Sequence, residues 1–429
     1  MPLRATATVV EPDLLFLPWG IPLEQWPAGD TVALARGISR HTVRFVRADR
    51  AVYAVKETEE PIAKREYELL VSLRRLGAPC VEPVGVIAGR EGADGQDLPA
   101  ALLTRHLSFS LPYRALVQPT LSPEIWDRLL DALVLLVVRL HLLGFAWNDC
   151  SLSNTLFRRD AGAFSAYLVD AETGELHESL SRGQRAYDLE TATMNVAGEL
   201  MDLQDGGMLP DVLEPSDVGA DLRRRYEHLW LTLTDAITVS RTDRYQIHTL
   251  LRTLNGLGFD VAEITADSTD GGSSIRVRPK VVSAGHHSRR MRHLTGLEMH
   301  ENQARRLLND IDSHRYVSGL EANEQAAAHA WVVDVYERIL LRIPPDLRGR
   351  REAPELVHEV LAHRWFSSER SGRDVGLDWA TDDYVARYLR DSPDEAALLG
   401  PPPLPDDTDD DVDADDDDGP EPGLGILGR

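Results

Sequence analysis

The first hundred residues show short apolar runs separated by turn residues. The segments Thr31–Arg36, Thr42–Arg47 and Val52–Val55 follow one another in this way and predict three strands. Apolar side chains then recur at helical spacing across Ile62–Leu76, and a further apolar run covers Ala100–Thr104. The pattern therefore predicts the order β-β-β-α-β for the first part of the chain.

The pattern becomes helical after this region. Pro123–Leu143 is apolar on nearly every side, which is typical of a helix buried at the centre of a domain. Two short apolar runs, Thr155–Phe157 and Ala166–Val169, predict strands. Leu189–Leu203 and Asp221–Ile237 have helical spacing. This part of the chain is therefore predicted to be mainly helical, with two short strands near its middle.

A new pattern begins near residue 240. Tyr245–Leu254 predicts a helix, and Phe259–Ile264 and Ser274–Val282 predict strands. Further helices are predicted at Met299–Ile311, Glu321–Ile343, Ala353–Phe366 and Thr381–Arg390. Beyond Gly400 the chain is rich in Pro and then in Asp, so it cannot bury enough apolar surface to fold. We predict four parts, at residues 1–105, 106–240, 241–398 and 399–429.

The composition is that of a folded protein with an acidic surface. Apolar residues make up 43% of the 429 residues, and 46 Lys and Arg face 70 Asp and Glu, for a net charge of −24. This balance argues against a protein that coats nucleic acid or an anionic membrane with its whole surface. Two cysteines cannot form a disulfide framework, and no apolar run approaches the roughly 18 residues that span a bilayer. A cytoplasmic protein without a transmembrane segment is expected.

One constellation of polar residues suggests chemistry. Asp149 and Asn154 lie five residues apart after the long apolar helix, and Asp170 ends the second of the two short strands. Carboxylate and amide oxygens at strand ends suit Mg²⁺, which keeps some positions for phosphate oxygens. Asp and Asn are also ordinary turn residues, so the alternative interpretation is purely structural.

The order of these motifs resembles the protein-kinase-like superfamily. Val52-Tyr53-Ala54-Val55-Lys56 resembles the strand that carries the ATP-phosphate lysine, in a chain with only three lysines. Glu66 is placed to pair with Lys56, with Glu68 as a rival for that role. Tyr187-Asp188-Leu189 resembles the start of the helix whose aspartate braces the catalytic loop. The resemblance covers about residues 30–240 and implies a bilobal kinase-like fold.

The resemblance also implies roles for individual residues. Asp149 would accept or orient the proton of an attacking hydroxyl, Asn154 and Asp170 would hold Mg²⁺, and Asp188 would be a structural brace. The residues that would contact ATP are Lys56, Glu66, Gly37, Ser39, Thr104 and His106.

Departures from typical protein kinases point to the atypical branch. The phosphate-covering loop has one glycine, Gly37, where protein kinases have three. No Ala-Pro-Glu element follows, and 17 residues separate Asp170 from Asp188. The sequence is closer to lipopolysaccharide (Kdo) kinases and aminoglycoside phosphotransferases. It is closest to an uncharacterised bacterial family in which such a domain precedes a C-terminal domain of unknown function.

Three other features have weaker functional interpretations. Cys150 beside Asp149 has no accompanying histidine triad and is expected to pack behind the loop. His358 and His363 resemble a zinc-protease motif, but a five-residue separation turns the two rings apart on a helix. The segment 275–293 is basic and has no acidic residue. It is either a solvated hairpin neutralised by acidic parts of the chain or a site for an anionic partner, through Arg276, Arg278, Lys280, Arg289, Arg290 and Arg292.

The fold class predicted is α+β, with a bilobal protein-kinase-like fold, a mostly helical α+β C-terminal domain and a disordered acidic tail. The predicted function is ATP- and Mg²⁺-dependent phosphoryl transfer to a hydroxyl of an unidentified non-protein acceptor, and a protein acceptor is kept as an open alternative. The alternative is a catalytically weak kinase-like binding, scaffold or regulatory module whose basic C-terminal segment docks a partner.

Overall fold

The fold is described from a computed structural model of the protein. It describes residues 3–7, 11–27, 29, 31–32, 41–48, 51–117, 121–210, 213–235, 237–240, 249, 254, 259–269, 274–320 and 323–395. Most of the strand predicted at Thr31–Arg36, most of the helix predicted at Tyr245–Leu254, and the acidic tail from residue 399 lie outside these ranges.

The N-terminal lobe is a five-stranded antiparallel sheet with one long helix against it. The sheet order is β1-β4-β5-β3-β2. The strands are β1 (Arg4–Ala7), β2 (Val43–Ala48), β3 (Ala51–Thr58), β4 (Glu82–Ala88) and β5 (Ala100–Arg105), and the helices are α1 (Pro12–Leu15) and α2 (Glu60–Arg75). Strands β1 and β4 were not predicted. In β4, Pro83 and Gly85 interrupt the apolar run that would have indicated a strand.

Helix α2 lies against the sheet through one face. Ala63, Glu66, Tyr67, Leu70 and Leu73 are its buried residues, at the spacing of a single helical stripe. The stripe therefore carries a carboxylate, that of Glu66, into the interior of the lobe.

The second lobe is built around one buried helix, as the sequence predicts. Its helices are α3 (Tyr113–Leu116), α4 (Pro123–Leu142), α5 (Arg182–Asp205) and α6 (Pro215–Thr234), and its strands are β6 (Leu111–Pro112), β7 (Phe145–Ala146), β8 (Thr155–Asp160), β9 (Ala163–Leu168) and β10 (Glu175–Leu176). Helix α4 begins after Ser122, whose side chain accepts a hydrogen bond from the backbone of Ile125. Its apolar faces form the centre of the largest hydrophobic cluster of described residues.

Strands β8 and β9 form an antiparallel hairpin between two predicted site residues. The hairpin pairs Thr155 with Leu168 at its open end and Asp160 with Ala163 at its turn. Asn154 directly precedes β8, and Asp170 follows β9 by two residues. The backbone N–H of Val169 donates to the carbonyl of Asn154 at 3.1 Å, so the open end of the hairpin holds these two residues near each other.

The remainder of the described chain is mostly helical, with one three-stranded sheet of order β11-β13-β12. The strands are β11 (Ile237–Ser240), β12 (Phe259–Thr269) and β13 (Ser274–Ala284), and the helices are α7 (His286–Thr295), α8 (Glu301–Val317), α9 (Glu324–Trp331), α10 (Arg338–Arg342), α11 (Ala353–Ser371) and α12 (Leu377–Tyr384). The helices share a separate hydrophobic cluster around Trp331. Phe259 instead joins the cluster of the second lobe, so the two regions pack against each other.

Two sequence-based predictions need correction here. The basic segment 275–293 is a strand only as far as Ala284, and its second half is helix α7, whose first residue is His286. The helix predicted at Glu321–Ile343 is a succession of α9, a π-helical turn at Val332–Glu337 and α10. Apolar periodicity does not register the extra residue that a π turn inserts.

The turn of the β8–β9 hairpin is held by the C-terminal helices. The buried carboxylate of Asp160 accepts the backbone N–H groups of Gln303, at 2.7 Å, and Asn302, at 3.2 Å, in the first turn of α8. Glu355 of α11 accepts the backbone N–H of Ala161 at 2.8 Å. These bonds satisfy otherwise unpaired N–H groups at a helix start and at a tight turn. The C-terminal helices therefore support the hairpin that carries the predicted site residues.

Candidate active site

Lys56 reaches the cleft between the lobes because of its place on β3. The strand is flanked by β2 and β5, which pair Lys56 with Val43 and Leu102. Alternation along the strand places neighbouring Val55 in the hydrophobic core and Lys56 on the opposite face. The ammonium group therefore points towards the second lobe.

The lysine is held by three carboxylates. Its Nζ lies 3.0 Å from Glu66, 2.6 Å from Asp170 and 2.8 Å from Glu172. The ion pair with Glu66 that the sequence predicted is thus present, while Glu68 lies on the exposed side of α2. Glu172 was not singled out in the sequence. Its signal was its position two residues after Asp170, where the superfamily pattern has glycine.

The charges of this cluster perturb one another. Burial opposes the charge of Lys56, but Glu66 and Asp170 outweigh it and raise the pKa of the ammonium above its ordinary value. Burial and the nearby Asp170 raise the pKa of Glu66 to about 7. Three carboxylates around one ammonium carry excess negative charge, and the most buried of them is the one that gains proton affinity.

Asp149 is fixed by two amide side chains. Asn154 Nδ2 donates to the Asp149 carboxylate at 3.2 Å and to its backbone carbonyl at 3.0 Å. Asn195 Nδ2 of α5 donates to the other carboxylate oxygen at 3.1 Å. Because the amide nitrogen of Asn154 faces Asp149, its Oδ1 is turned away from that carboxylate. Asn195 was not identified from the sequence, since it lies 41 residues beyond Asn154 on another element.

The predicted brace, Asp188, contacts the predicted catalytic loop, residues 147–154, directly. Its buried carboxylate accepts the backbone N–H groups of Trp147 and Asn148, each at 2.7 Å. It also lies 2.9 Å from Nε2 of His141, near the end of α4. Asn148 has the left-handed backbone conformation, with φ of 62°, which few residues other than glycine tolerate. Asp188 therefore stabilises a constrained turn immediately before Asp149.

A half-buried carboxylate fixes the other side of the loop. Glu199 of α5 accepts the backbone N–H of Leu152 at 2.6 Å and that of Ser153 at 3.0 Å. Burial raises the pKa of Glu199, although these hydrogen bonds lower it. Helix α5 thus contributes Asp188, Asn195 and Glu199 to the loop, of which the sequence analysis found only the first.

Asp170 is also positioned through its backbone. Trp147 Nε1 donates to the Asp170 carbonyl at 2.7 Å, and the backbone N–H of Glu172 donates to the Asp170 carboxylate at 3.0 Å. The backbone of Ala171 donates to Glu66 at 3.3 Å. The segment that carries Asp170 is therefore tied both to the catalytic loop and to α2.

A cavity of about 530 Å³ lies between the lobes and brings several predicted residues together. Lys56, Glu66, Thr104, His106, Asn154 and Asp170 all line it. Its size is within the range of small-molecule sites, and its walls combine apolar side chains with a few convergent charges. Gly37 and Ser39, the predicted residues of the phosphate-covering loop, lie outside the described residues.

His106 is neutral in this cavity. Burial and the charge of Arg158 lower its pKa to about 4. Its ring packs edge-on against Phe45, with centroids 5.4 Å apart, and its backbone N–H donates to Val52 at 2.8 Å. A neutral imidazole at the apolar end of the cavity is compatible with an uncharged aromatic ligand.

Residues that could hold Mg²⁺ lie at the charged end. Asn154 and Asp170 both line the cavity and offer oxygen atoms, the donor type that Mg²⁺ prefers. Within the described part of the chain, carboxylate oxygens of Glu66, Asp170 and Glu172 also lie within 4.8 Å of one another. The ammonium of Lys56 lies among these three acids. The donor set therefore fits a hard cation.

The predicted anionic-partner residues are split between two elements. Arg276, Arg278 and Lys280 belong to strand β13, whereas Arg289, Arg290 and Arg292 belong to helix α7. Arg290 pairs with Glu324 at 2.5 Å, and Arg292 lies 3.4 Å from Glu298. Acidic residues of the same chain thus neutralise part of this basic segment. Among the helices of the described ranges, none has the length and apolarity needed to cross a bilayer.

Two family models match separate parts of the chain. Residues 39–197 match the lipopolysaccharide kinase (Kdo/WaaP) family, and residues 228–389 match a domain of unknown function, DUF4032. No curated protein matches the sequence. A solved structure, "WaaP in complex with acyl carrier protein", is similar with a TM-score of 0.35 and 16% identity, covering 60% of this chain and 99% of that chain.

The matches agree with the order of motifs in the sequence. Lys56, Glu66, Asp149, Asn154 and Asp170 all fall inside the matched kinase region. The predicted resemblance to the atypical branch of the protein-kinase-like superfamily is thereby confirmed, and the chain joins a region similar to lipopolysaccharide kinases to a following region that matches the DUF4032 model.

Proposed function

We propose that the protein is an ATP- and Mg²⁺-dependent phosphotransferase that acts on a hydroxyl of a small, non-protein acceptor. The observation that carries this proposal is the convergence of Lys56, Asn154 and Asp170 on one cavity between the lobes. These are the charge types and positions that phosphoryl transfer from a nucleotide requires.

Each side chain has a role that follows from its charge and placement. The ammonium of Lys56, oriented by Glu66, would donate to phosphate oxygens of ATP. Asn154 and Asp170 would hold Mg²⁺, which neutralises the developing phosphate charge when bound. Asp149, fixed by Asn154 and Asn195, would accept the acceptor's hydroxyl proton. The acceptor oxygen then bonds to the γ-phosphorus while the bond from that phosphorus to the ADP oxygen breaks.

The short segment after Asp170 favours a non-protein acceptor. Only 11 residues separate Asp170 from the first residue of α5, Arg182, and two of them form β10, paired with β7. This leaves no length of chain for a platform that binds an extended peptide. The acceptor is therefore expected to be recognised by other surfaces of the second lobe or by the C-terminal helices.

One observation favours the second candidate, a kinase-like binding module with slow or no turnover. The ammonium of Lys56 is bound by three carboxylates, and Asp170 lies 2.6 Å from it. ATP must displace Asp170 and Glu172 from the lysine before it can bind in the productive arrangement. This rearrangement lowers the apparent affinity for nucleotide by the free energy of the contacts that are broken.

The first test is ATP binding measured as a Mg²⁺-dependent rise in melting temperature. A nucleotide at 100 times its Kd stabilises the folded state by about 2.7 kcal/mol. We expect the rise in the intact protein and its loss in Lys56→Ala and Asp170→Ala. Lys64→Ala is the matched control, because Lys64 lies on the exposed face of α2, outside the cavity, and pairs with Glu60 of the same helix. No rise at millimolar ATP and Mg²⁺ would remove the nucleotide site.

The second test separates the two candidates. ADP release is followed with pools of small hydroxyl compounds, and Asp149→Ala serves as the variant that lacks the proposed base. ATP binding together with Asp149-dependent ADP release supports the phosphotransferase. ATP binding with ADP release that is equal in the intact protein and in Asp149→Ala supports the binding module.

A further inference from the structure

A second cavity lies away from the interlobe cleft, where helix α11 faces the turn of the β8–β9 hairpin. Its volume is about 700 Å³, and residues of both the second lobe and the C-terminal helices line it. From the hairpin come Arg159, Gly162 and Phe164, and from α11 come His358 and Phe366. The cavity contains none of the residues assigned above to phosphoryl transfer.

His358 faces this cavity without a partner. Its side chain is buried to 9% exposure, and no hydrogen bond or ion pair links its ring to the described residues. Its ring nitrogens are open to the cavity, since neither is among the described polar atoms that are both sealed from solvent and without a hydrogen-bond partner, so a ligand in the cavity can reach them. Burial and the charge of Arg306 lower the pKa of His358 to about 4, so the ring is neutral and offers one donor and one acceptor.

The carboxylates in the wall are largely engaged with other groups. Glu355 accepts the backbone N–H of Ala161 and the Gln303 side chain, and Glu359 accepts the hydroxyl of Tyr384. Burial also raises the pKa of Glu355 to about 7, which removes part of its charge at neutral pH. The inner wall of the cavity therefore carries less negative charge than Glu355 and Glu359 would give it if both were ionised and unpaired.

Two arginines stand at the exposed edge of the cavity. Arg128 of α4 and Arg370 of α11 are both exposed and line it, and neither forms an ion pair with a carboxylate of the described residues. Glu369 of α11 also lines the cavity, is exposed, and provides a counter-charge near them. Guanidinium groups with free donors match the oxygens of a phosphate monoester, which carries nearly two negative charges at pH 7.

We propose that this cavity is a binding site for an organic phosphate with an apolar or aromatic body. The phosphate would bind Arg128 and Arg370, the body would pack on Phe164 and Phe366, and His358 would bind a polar group of the ligand. The volume exceeds that needed for inorganic phosphate and is within the range of sites for ligands of nucleotide size. The proposal does not depend on the proposed phosphotransferase activity.

The test uses phenyl phosphate as the probe, titrated calorimetrically into the full-length protein. The double variant Arg128→Ser/Arg370→Ser and the single variant His358→Leu are each expected to weaken binding by about tenfold, since each removes charge-assisted or buried hydrogen bonds. Arg373→Ser is the matched control, because Arg373 is an exposed arginine near the end of α11 that does not line the cavity.

Three further arms define the ligand class and the site. Phenol and benzoate are expected to bind more weakly than phenyl phosphate, and so is inorganic phosphate. Lys56→Ala is expected to bind phenyl phosphate like the intact protein, because Lys56 lies in the other cavity. The arginines are exposed, so their replacement leaves folding intact even if His358→Leu does not fold.

Several outcomes would overturn the proposal. These are the absence of heat with phenyl phosphate, equal affinity in the intact protein and the arginine double variant, loss of binding in Lys56→Ala, or phenol or benzoate binding as tightly as phenyl phosphate.

Discussion

Replacing the buried carboxylate of Glu355 by an amide should make the protein more stable above neutral pH. Glu355 is 3% exposed, and its Oε2 accepts two hydrogen bonds of 2.8 Å, from Ala161 N–H and Gln303 Nε2. Glu355→Gln keeps a carbonyl oxygen for these donors and has nearly the same shape. What it removes is the cost of ionising a carboxyl group in this buried position.

The size of the effect follows from the pKa of Glu355. Burial raises it from the ordinary 4.5 to about 7. Between these two values the folded protein keeps a proton that the unfolded chain has released, so stability falls as the pH rises through this window. The 2.5 pH units between them, at about 1.4 kcal/mol each, correspond to roughly 3.5 kcal/mol. The variant and the intact protein should have similar stability near pH 4.5 and should differ by about 3.5 kcal/mol at pH 8.

The assay is urea denaturation at pH 5, 6, 7 and 8 for the intact protein, Glu355→Gln and Glu369→Gln. Glu369 lies on the same helix but is exposed, so its replacement should leave the pH dependence unchanged. The free energy of unfolding is plotted against pH for each protein. Subtracting the curve of Glu355→Gln from that of the intact protein isolates the contribution of Glu355 from those of the other carboxyl groups. Parallel curves for these two proteins would show that Glu355 is ionised at neutral pH, and would refute the reasoning.

Three further predictions concern buried groups of the kinase-like region. Asp188→Ala leaves the buried N–H of Trp147 and the partly buried N–H of Asn148 without an acceptor and should lower the free energy of unfolding by about 3 kcal/mol or more, measured by urea denaturation. Burial raises the pKa of Cys80 to about 12 and that of Cys150 well above its usual range, so neither thiol should react with iodoacetamide at pH 8 until the protein is unfolded. Gly144 has φ of 82°, and a Cβ there would collide with the carbonyl oxygen of His177, so Gly144→Ala should lower the melting temperature by an amount equivalent to at least about 2 kcal/mol. A normal melting temperature for Gly144→Ala, rapid labelling of the folded protein, or a loss below about 1 kcal/mol in Asp188→Ala would each contradict the corresponding prediction.

The sequence predicted those parts of the fold that depend on local pattern. The central helix was predicted as Pro123–Leu143 and is Pro123–Leu142 in the structure. The candidate site residues Asp149, Asn154 and Asp170 were singled out in the sequence because of their spacing around recognisable elements, and their catalytic roles stay a prediction. Strand β4 was missed because it owes its stability to pairing with β1 and β5, and its own apolar run is interrupted.

The rest of the candidate site could not be read from one sequence. Asn195 and Glu199 contact the loop only because α5 packs beside it, and no local pattern distinguishes them from other polar residues of that helix. Glu172 was visible as a departure from the expected motif, but its contact with Lys56 depends on the closeness of the two lobes. Long-range contacts of this kind are set by tertiary packing.

The support of the β8–β9 hairpin by later parts of the chain has a consequence for synthesis. The hairpin turn at Gly162 leaves the ribosome before Gln303 and Glu355, which hold that turn in the finished protein. At about 5–20 residues per second, the delay before Glu355 is made is roughly 10–40 seconds. Asp160 gains its helical partners earlier, once Asn302 and Gln303 of α8 have been made, roughly 7–28 seconds after the turn. A nascent or truncated chain that ends before residue 300 therefore carries Asn154 and Asp170 on a hairpin whose turn lacks these contacts, so the support of the candidate site comes only with residues 302–355.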